Sequence, residues 1–304
     1  MPVDPAAQAV LDLLAQAGAP PLHEQTPEEG RAAFAGMALL GGEGAAVASV
    51  AEREVGGVPA IIVTPNGDGP FPILVWIHGG GWVIGSAGES LATAKDLAAG
   101  AGCVVVSLDY RLAPEHRAPA AVEDCVAAVG WVLDHGDQLG GDPARVAVGG
   151  DSAGGNLAAL VALAYGPRLR YQVLVYPATD LTASHPSIDE NAEGYLLTKA
   201  SMEWFIGHYL DGTDLDPKDP SLSPLFADDE AVAAAAPAYV ITAEFDPLRD
   251  EGEAYAARLR AAGVPVVARR FDGQIHAFYS MPAAIPAAVE AIDQTAELLR
   301  AAFA

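Results

Sequence analysis

The chain has 304 residues, 51% apolar and 18% charged, a composition that supports a sizeable buried core and excludes wholesale disorder. Its 40 acidic residues against 16 Lys and Arg give a formal net charge of −24, so nucleic acid and anionic membrane surfaces would repel it. No apolar run approaches the ~20 residues of a membrane span, and the start Met1-Pro2-Val3-Asp4-Pro5 lacks the basic and apolar regions of a signal peptide. The expectation is a soluble, cytoplasmic protein.

Residues 1–45 carry helical patterning at 6–17 and 28–40 and no strand. From residue 46 onward, short β-branched runs at 46–55, 58–64, 72–77, 103–108, 145–149, 172–176, 238–243 and 264–270 predict eight strands. Several are apolar throughout, as strands covered on both faces are. Ala-rich amphipathic stretches at 89–101, 119–134, 152–165, 250–262 and 287–303 predict helices between and after them. That alternation is the mark of an α/β fold with a mostly parallel sheet. The Gly56-Gly57 link suits an antiparallel hairpin of the first two strands at one edge. Cys103 and Cys125 sit in an apolar run and a helical stretch, and read as buried free thiols. Only 180–226 breaks the rhythm, with a helix over 198–210 and an Asp/Pro-rich stretch after it; an insertion that long is usually a lid.

Chemistry-bearing residues sit at strand ends. His78-Gly79-Gly80-Gly81-Trp82 follows the third strand, where glycines let backbone N–H groups face a ligand. Gly150-Asp151-Ser152-Ala153-Gly154 fits G-x-S-x-G between the fifth strand and its helix, the setting of a nucleophile elbow. With the N–H of Ala153, the glycine loop has the parts to hold an oxyanion. For the acid, Glu244, Asp246 and Asp250 all follow the seventh strand and compete. Asp250 also reads as a helix N-cap and Glu244 as a strand-end structural partner; Asp246, fixed by Pro247, is favoured. The base must come after the acid, which leaves His276. Trp82, Leu196, Phe205 and Tyr209 are candidate apolar walls for a substrate, with plain core packing as the competing reading for the cap residues.

These motifs make the chain resemble the bacterial hormone-sensitive-lipase family of carboxylesterases, within the α/β-hydrolase superfamily. Asp246-Pro247-Leu248-Arg249-Asp250-Glu251, the stretch from Asp109 to His116 and Leu196-Leu197-Thr198 add to the match. The resemblance implies an eight-stranded sheet, with a helical cap from 1–45 and 180–226 over a catalytic body of 46–179 and 227–304. It implies an oxyanion hole of Gly80, Gly81 and Ala153, and a Ser152–His276–Asp246 triad. It also implies hydrolysis of short to medium acyl esters without cofactor or metal, and a possible homodimer through the edge strand 264–270. The chain departs from the family at Gln274 and Ala277, where Met and Gly are usual, which bears on substrate preference. An amidase or lactonase would use the same residues, and a non-catalytic small-molecule receptor of this fold would lack the His.

Overall fold

The structure, a computed structural model, describes residues 2–304. Eight strands form one sheet: β1 (Ser49–Val55), β2 (Val58–Thr64), β3 (Phe71–Ile77), β4 (Val104–Leu108), β5 (Gly141–Asp151), β6 (Tyr171–Val175), β7 (Ala238–Phe245) and β8 (Val266–Ile275), in the order β1-β2-β4-β3-β5-β6-β7-β8. The pairs β1–β2 and β2–β4 are antiparallel, and every pair from β4 across to β8 is parallel.

The two-residue period of a strand divides the core. Ile73, Val75 and Ile77 of β3 face a layer made by α4 (Ala120–His135), α5 (Ala153–Tyr165) and α9 (Arg249–Ala261). Leu74 and Trp76 face the opposite layer, where α3 (Leu91–Ala101) packs against α10 (Pro286–Phe303). Burial on both faces is why these strands read as apolar runs and not as alternation. Cys103 and Cys125 are buried and unpaired.

Two strands run furthest past their expected ends. β5 begins at Gly141, and β8 continues to Ile275. The β7–β8 pairing shifts register between Ala243 and Phe245, after which Phe245 pairs with Ile275. That irregularity absorbs the turn residues Asp272 and Gly273, and it delivers His276 at the strand's end.

Before the sheet come α1 (Pro5–Ala17) and α2 (Pro27–Met37), the latter closed by a capping box between Thr26 and Glu29. Between β6 and β7 lie α6 (Pro186–Glu190), α7 (Lys199–Leu210) and α8 (Asp229–Ala234). Thr198 caps α7 by accepting the Ser201 N–H.

The insertion is tied down at its root by Glu251. This fully buried carboxyl accepts the N–H of Thr179 and of Asp180 on one oxygen, at 2.7 and 3.2 Å. Burial pushes its pKa well up, against the lowering influence of those two N–H groups. Glu251→Gln keeps the acceptor and should cost under about 1 kcal/mol, whereas Glu251→Ala strands two buried N–H groups and should cost about 2–4 kcal/mol. Urea unfolding of the two variants checks this; equal losses would contradict it.

Candidate active site

Every residue that sequence reasoning placed at the site comes from the segment that follows the C-terminal end of a parallel strand, or from the insertion. Ser152 links β5 to α5 at φ 58°, ψ −119°, a region that costs a non-glycine residue. Its N–H is held by the Val175 carbonyl at 2.8 Å, and its carbonyl accepts from Asn156 and Ala178 at 3.0 and 3.2 Å. Gly150 and Gly154 flank it because the strand and helix pass too close for side chains: a Cβ at either would collide with backbone.

His276 Nε2 lies 3.0 Å from Ser152 Oγ, and its Nδ1 lies 2.7 Å from Asp246 Oδ2. A carboxylate only accepts, so Nδ1 carries the hydrogen and Nε2 turns its lone pair to the hydroxyl. Asp246 is 0% exposed, and its other oxygen accepts the Leu248 N–H at 2.8 Å. Asn191 Nδ2 bonds the Asp246 carbonyl at 3.2 Å. The His276 ring, 7% exposed, also packs on Tyr176 with centroids 4.6 Å apart.

The glycine loop approaches from β3. Gly80 has φ 114°, open only to glycine, and its carbonyl accepts from Val83 and Ile84 N–H at 3.1 and 2.9 Å. Among the described residues no acceptor takes the N–H of Gly80, Gly81 or Ala153. Three unspent donors therefore sit on the loop and the elbow that together frame a serine hydroxyl relayed through a histidine to a buried carboxylate.

A family model described as an alpha/beta hydrolase fold matches residues 74–280 of this arrangement. The chain belongs to the α/β-hydrolase family. Within it, the chain stands with the hormone-sensitive-lipase-like carboxylesterases. It is 47% identical to the carboxylic ester hydrolase LipN of Mycobacterium tuberculosis over 74% of this chain and 62% of that one. It is 36% identical to the ethyl acetate hydrolase of Pseudomonas putida over 92% of both. Among solved structures, an ester hydrolase from the metagenome of Lake Arreo, complexed with a bipyridine phosphonate derivative, superimposes with a TM-score of 0.94 at 39% identity, over 99% of each chain.

Of the remaining expected residues, Phe205 and Tyr209 of α7 pack against the glycine loop, whereas Leu196 packs with the cluster that holds Tyr176 and Phe278. Phe205 of α7 lies face-on against Gly81, in the space a side chain at 81 would need. Trp82 stacks on Tyr209 at 4.6 Å and 6°, so these two buried rings cover one another. Leu196 is half-buried at φ 66° in the insertion. Of the competing carboxylates, Glu244 accepts the Gly273 N–H at 2.6 Å and braces the strand ends. Asp250 is not an N-cap, a correction to the sequence reading: α9 begins at Arg249, and Asp250 binds Arg249 Nε and the Ser187 N–H at 2.8 and 2.9 Å. Its position one residue inside the first turn leaves its carboxylate free for α6.

Sequence reading passed over Asp151, the variable position of G-x-S-x-G. Asp151 is 9% exposed and accepts the Gly79 N–H at 3.1 Å. Burial pushes its carboxyl up to about 6, against the lowering influence of His276 and of the Gly79 N–H. A folded-state pKa raised from an ordinary 3.8 gives stability that is present below the unfolded value and lost as pH rises through about 6. At 1.36 kcal/mol per pH, the ionised form costs about 3 kcal/mol at pH 8 and about half that at pH 5. Asp151→Asn should therefore be more stable than the parent, by a margin that grows with pH over this range. Urea midpoints at the two pH values test it; a margin that shrinks with pH would refute the buried-charge account.

Proposed function

We propose that this chain is a serine carboxylesterase acting on short- to medium-chain acyl esters, with Ser152 as nucleophile, His276 as general base and acid, and Asp246 as the orienting carboxylate. The observation that carries the reading is the continuous hydrogen-bonded chain Ser152 Oγ–His276–Asp246, at 3.0 and 2.7 Å, set on a strained elbow. Its named relatives, carboxylic ester hydrolases and an ethyl acetate hydrolase, act on the same bond class.

In this cycle Nε2 takes the Ser152 proton as Oγ attacks the ester carbonyl. The carbonyl oxygen, now an anion, is received by the N–H groups of Gly80, Gly81 and Ala153. Asp246, already hydrogen-bonded to Nδ1, stabilises the imidazolium. His276 then protonates the departing alcohol, and a water activated by the same Nε2 releases the acid. None of these steps calls on a cofactor or metal.

Residues 1–45 and 180–226 form the cap in this reading, over a body of 46–179 and 227–304. Phe205, on the face of the glycine loop, and the half-buried Leu196 are the cap's walls toward the substrate; Trp82 and Tyr209 stiffen the wall behind them. A roofed pocket gains up to ~0.8 kcal/mol per buried methylene until it is full, and overpacking then reverses the gain. On a p-nitrophenyl ester series, kcat/KM should climb from acetate, peak at about four to eight acyl carbons and fall beyond. A maximum at about twelve carbons or more, or a rate jump on an olive-oil emulsion, would make the protein a lipase.

No helix among the described residues is long and apolar enough to cross a membrane. The two unpaired thiols fit a reducing, cytoplasmic setting. Among the described residues β8 pairs with no strand but β7, and apart from the Asp4 N–H on the Gly273 carbonyl its outer edge takes no backbone partner, which supports a homodimer paired along 264–270. A single monomeric species in sedimentation at micromolar concentration would exclude that assembly.

A further inference from the structure

The donors proposed for the oxyanion hole are not held alike. In a planar trans peptide the C=O and the following N–H point in opposite directions, so fixing a carbonyl aims the next residue's N–H. The Gly81 N–H is aimed this way by Val83 and Ile84 on the Gly80 carbonyl, and the Ala153 N–H by Asn156 and Ala178 on the Ser152 carbonyl. The Gly80 N–H depends on the Gly79 carbonyl, which receives His78 Nδ1 at 2.7 Å. The other side of Gly79 is its own N–H, held by Asp151 Oδ1 at 3.1 Å.

We infer that Asp151 is a positioning residue for the oxyanion loop: its carboxylate grips the Gly79 N–H and, with His78 on the Gly79 carbonyl, aims the Gly80 N–H at the developing oxyanion. This rests on the esterase reading above. Gly79 itself supports it. Gly80 and Gly81 have positive φ and Gly79 does not, so backbone freedom does not account for glycine at 79. Close approach does, since a Cβ there would stand 2.5 Å from Asp151 Oδ2 and 2.9 Å from the Asp151 carbonyl oxygen. The opposing clamp is equally fixed: the His78 ring stacks on Tyr110 at 4.3 Å, and the Tyr110 hydroxyl bonds the His78 carbonyl at 3.0 Å. Around the Asp151 carboxyl stand His276, Tyr110, Tyr176 and Tyr279, and among the described residues no Lys or Arg pairs with it. A buried acid without a cation is a poor packing choice, and a sensible one where an anionic acceptor must hold one N–H in place.

The test compares Asp151→Ala, Asp151→Ser and Asp151→Asn with the parent, using p-nitrophenyl butyrate turnover. It adds inhibition by an alkyl trifluoromethyl ketone, which forms an oxyanion on the serine, and by the matched methyl ketone, which binds as a ground state. Ala and Ser, unable to reach Gly79, should lower kcat about 100-fold with KM within about threefold, and weaken the trifluoromethyl ketone similarly while leaving the methyl ketone unmoved. Asn, whose amide oxygen still accepts, should recover to within about tenfold of the parent. Ser152→Ala is run alongside: if it fails to abolish turnover, the esterase assignment falls. If it does abolish turnover and Asp151→Ala keeps kcat within threefold, or raises KM alone, the positioning role falls. Loss of the near-UV dichroism signal in both Ala and Ser variants overturns it too, in favour of a purely structural part.

Discussion

Ser152→Ala is expected to lower kcat on p-nitrophenyl butyrate by about 10⁵- to 10⁶-fold, because the nucleophile and its relay act as a unit. The protein should remain folded. Alanine, like serine, has one Cβ to place at φ 58°, and the backbone bonds that hold the elbow use the N–H and carbonyl of residue 152 and not its hydroxyl. Turnover, far-UV dichroism and melting temperature measured on one preparation separate loss of chemistry from loss of fold. A variant that keeps more than about a tenth of parental kcat would show that Ser152 is not the nucleophile.

Asp246→Asn should lower kcat about 10⁴-fold, and Asp250→Asn should leave it within about threefold. The two carboxylates are four residues apart, yet only Asp246 reaches His276 Nδ1, at 2.7 Å. An asparagine there has no charge to set against the imidazolium, and its amide is free to present N–H where Nδ1–H needs an acceptor. Asp250 faces Arg249 and the Ser187 N–H, so its amide variant should lose about 1–2 kcal/mol of stability and little rate. Steady-state kinetics beside thermal melts decide it, and the reverse pattern would move the acid to Asp250.

Much of this was readable from residue order because the site is built at strand ends, and strand ends are marked in the sequence. A buried β-branched run followed by His78-Gly79-Gly80-Gly81, or by Asp151-Ser152-Ala153-Gly154-Gly155, states both the element and its loop. Among Glu244, Asp246 and Asp250, chain context pointed to Asp246, and it is Asp246 that the structure brings to His276 Nδ1. Other features escaped because their partners are remote in the chain. Asp151 meets Gly79 across 72 positions, and so does Glu251 meet Thr179. Tyr176 looks like one more apolar strand residue until His276 is laid upon it. The continuation of β8 through Asp272 and Gly273 hid behind turn-type residues, because only the irregular pairing with β7 shows that the strand survives them. Short helices such as α6 carry too few residues to display a period.

The base proposed here hangs from the rim of the sheet. His276 follows directly on β8, which has β7 on one side and no strand on the other, while Ser152 follows β5 in the interior. Marginal strands open before central ones, by fluctuations that need not involve the rest of the molecule. A transient detachment of β8 would carry the imidazole away from a serine that has not moved. On warming, the enzyme would fall silent several degrees before its helices melt, and on cooling it would recover without refolding. Anything that seals that rim would then widen the working temperature range while touching nothing in the pocket.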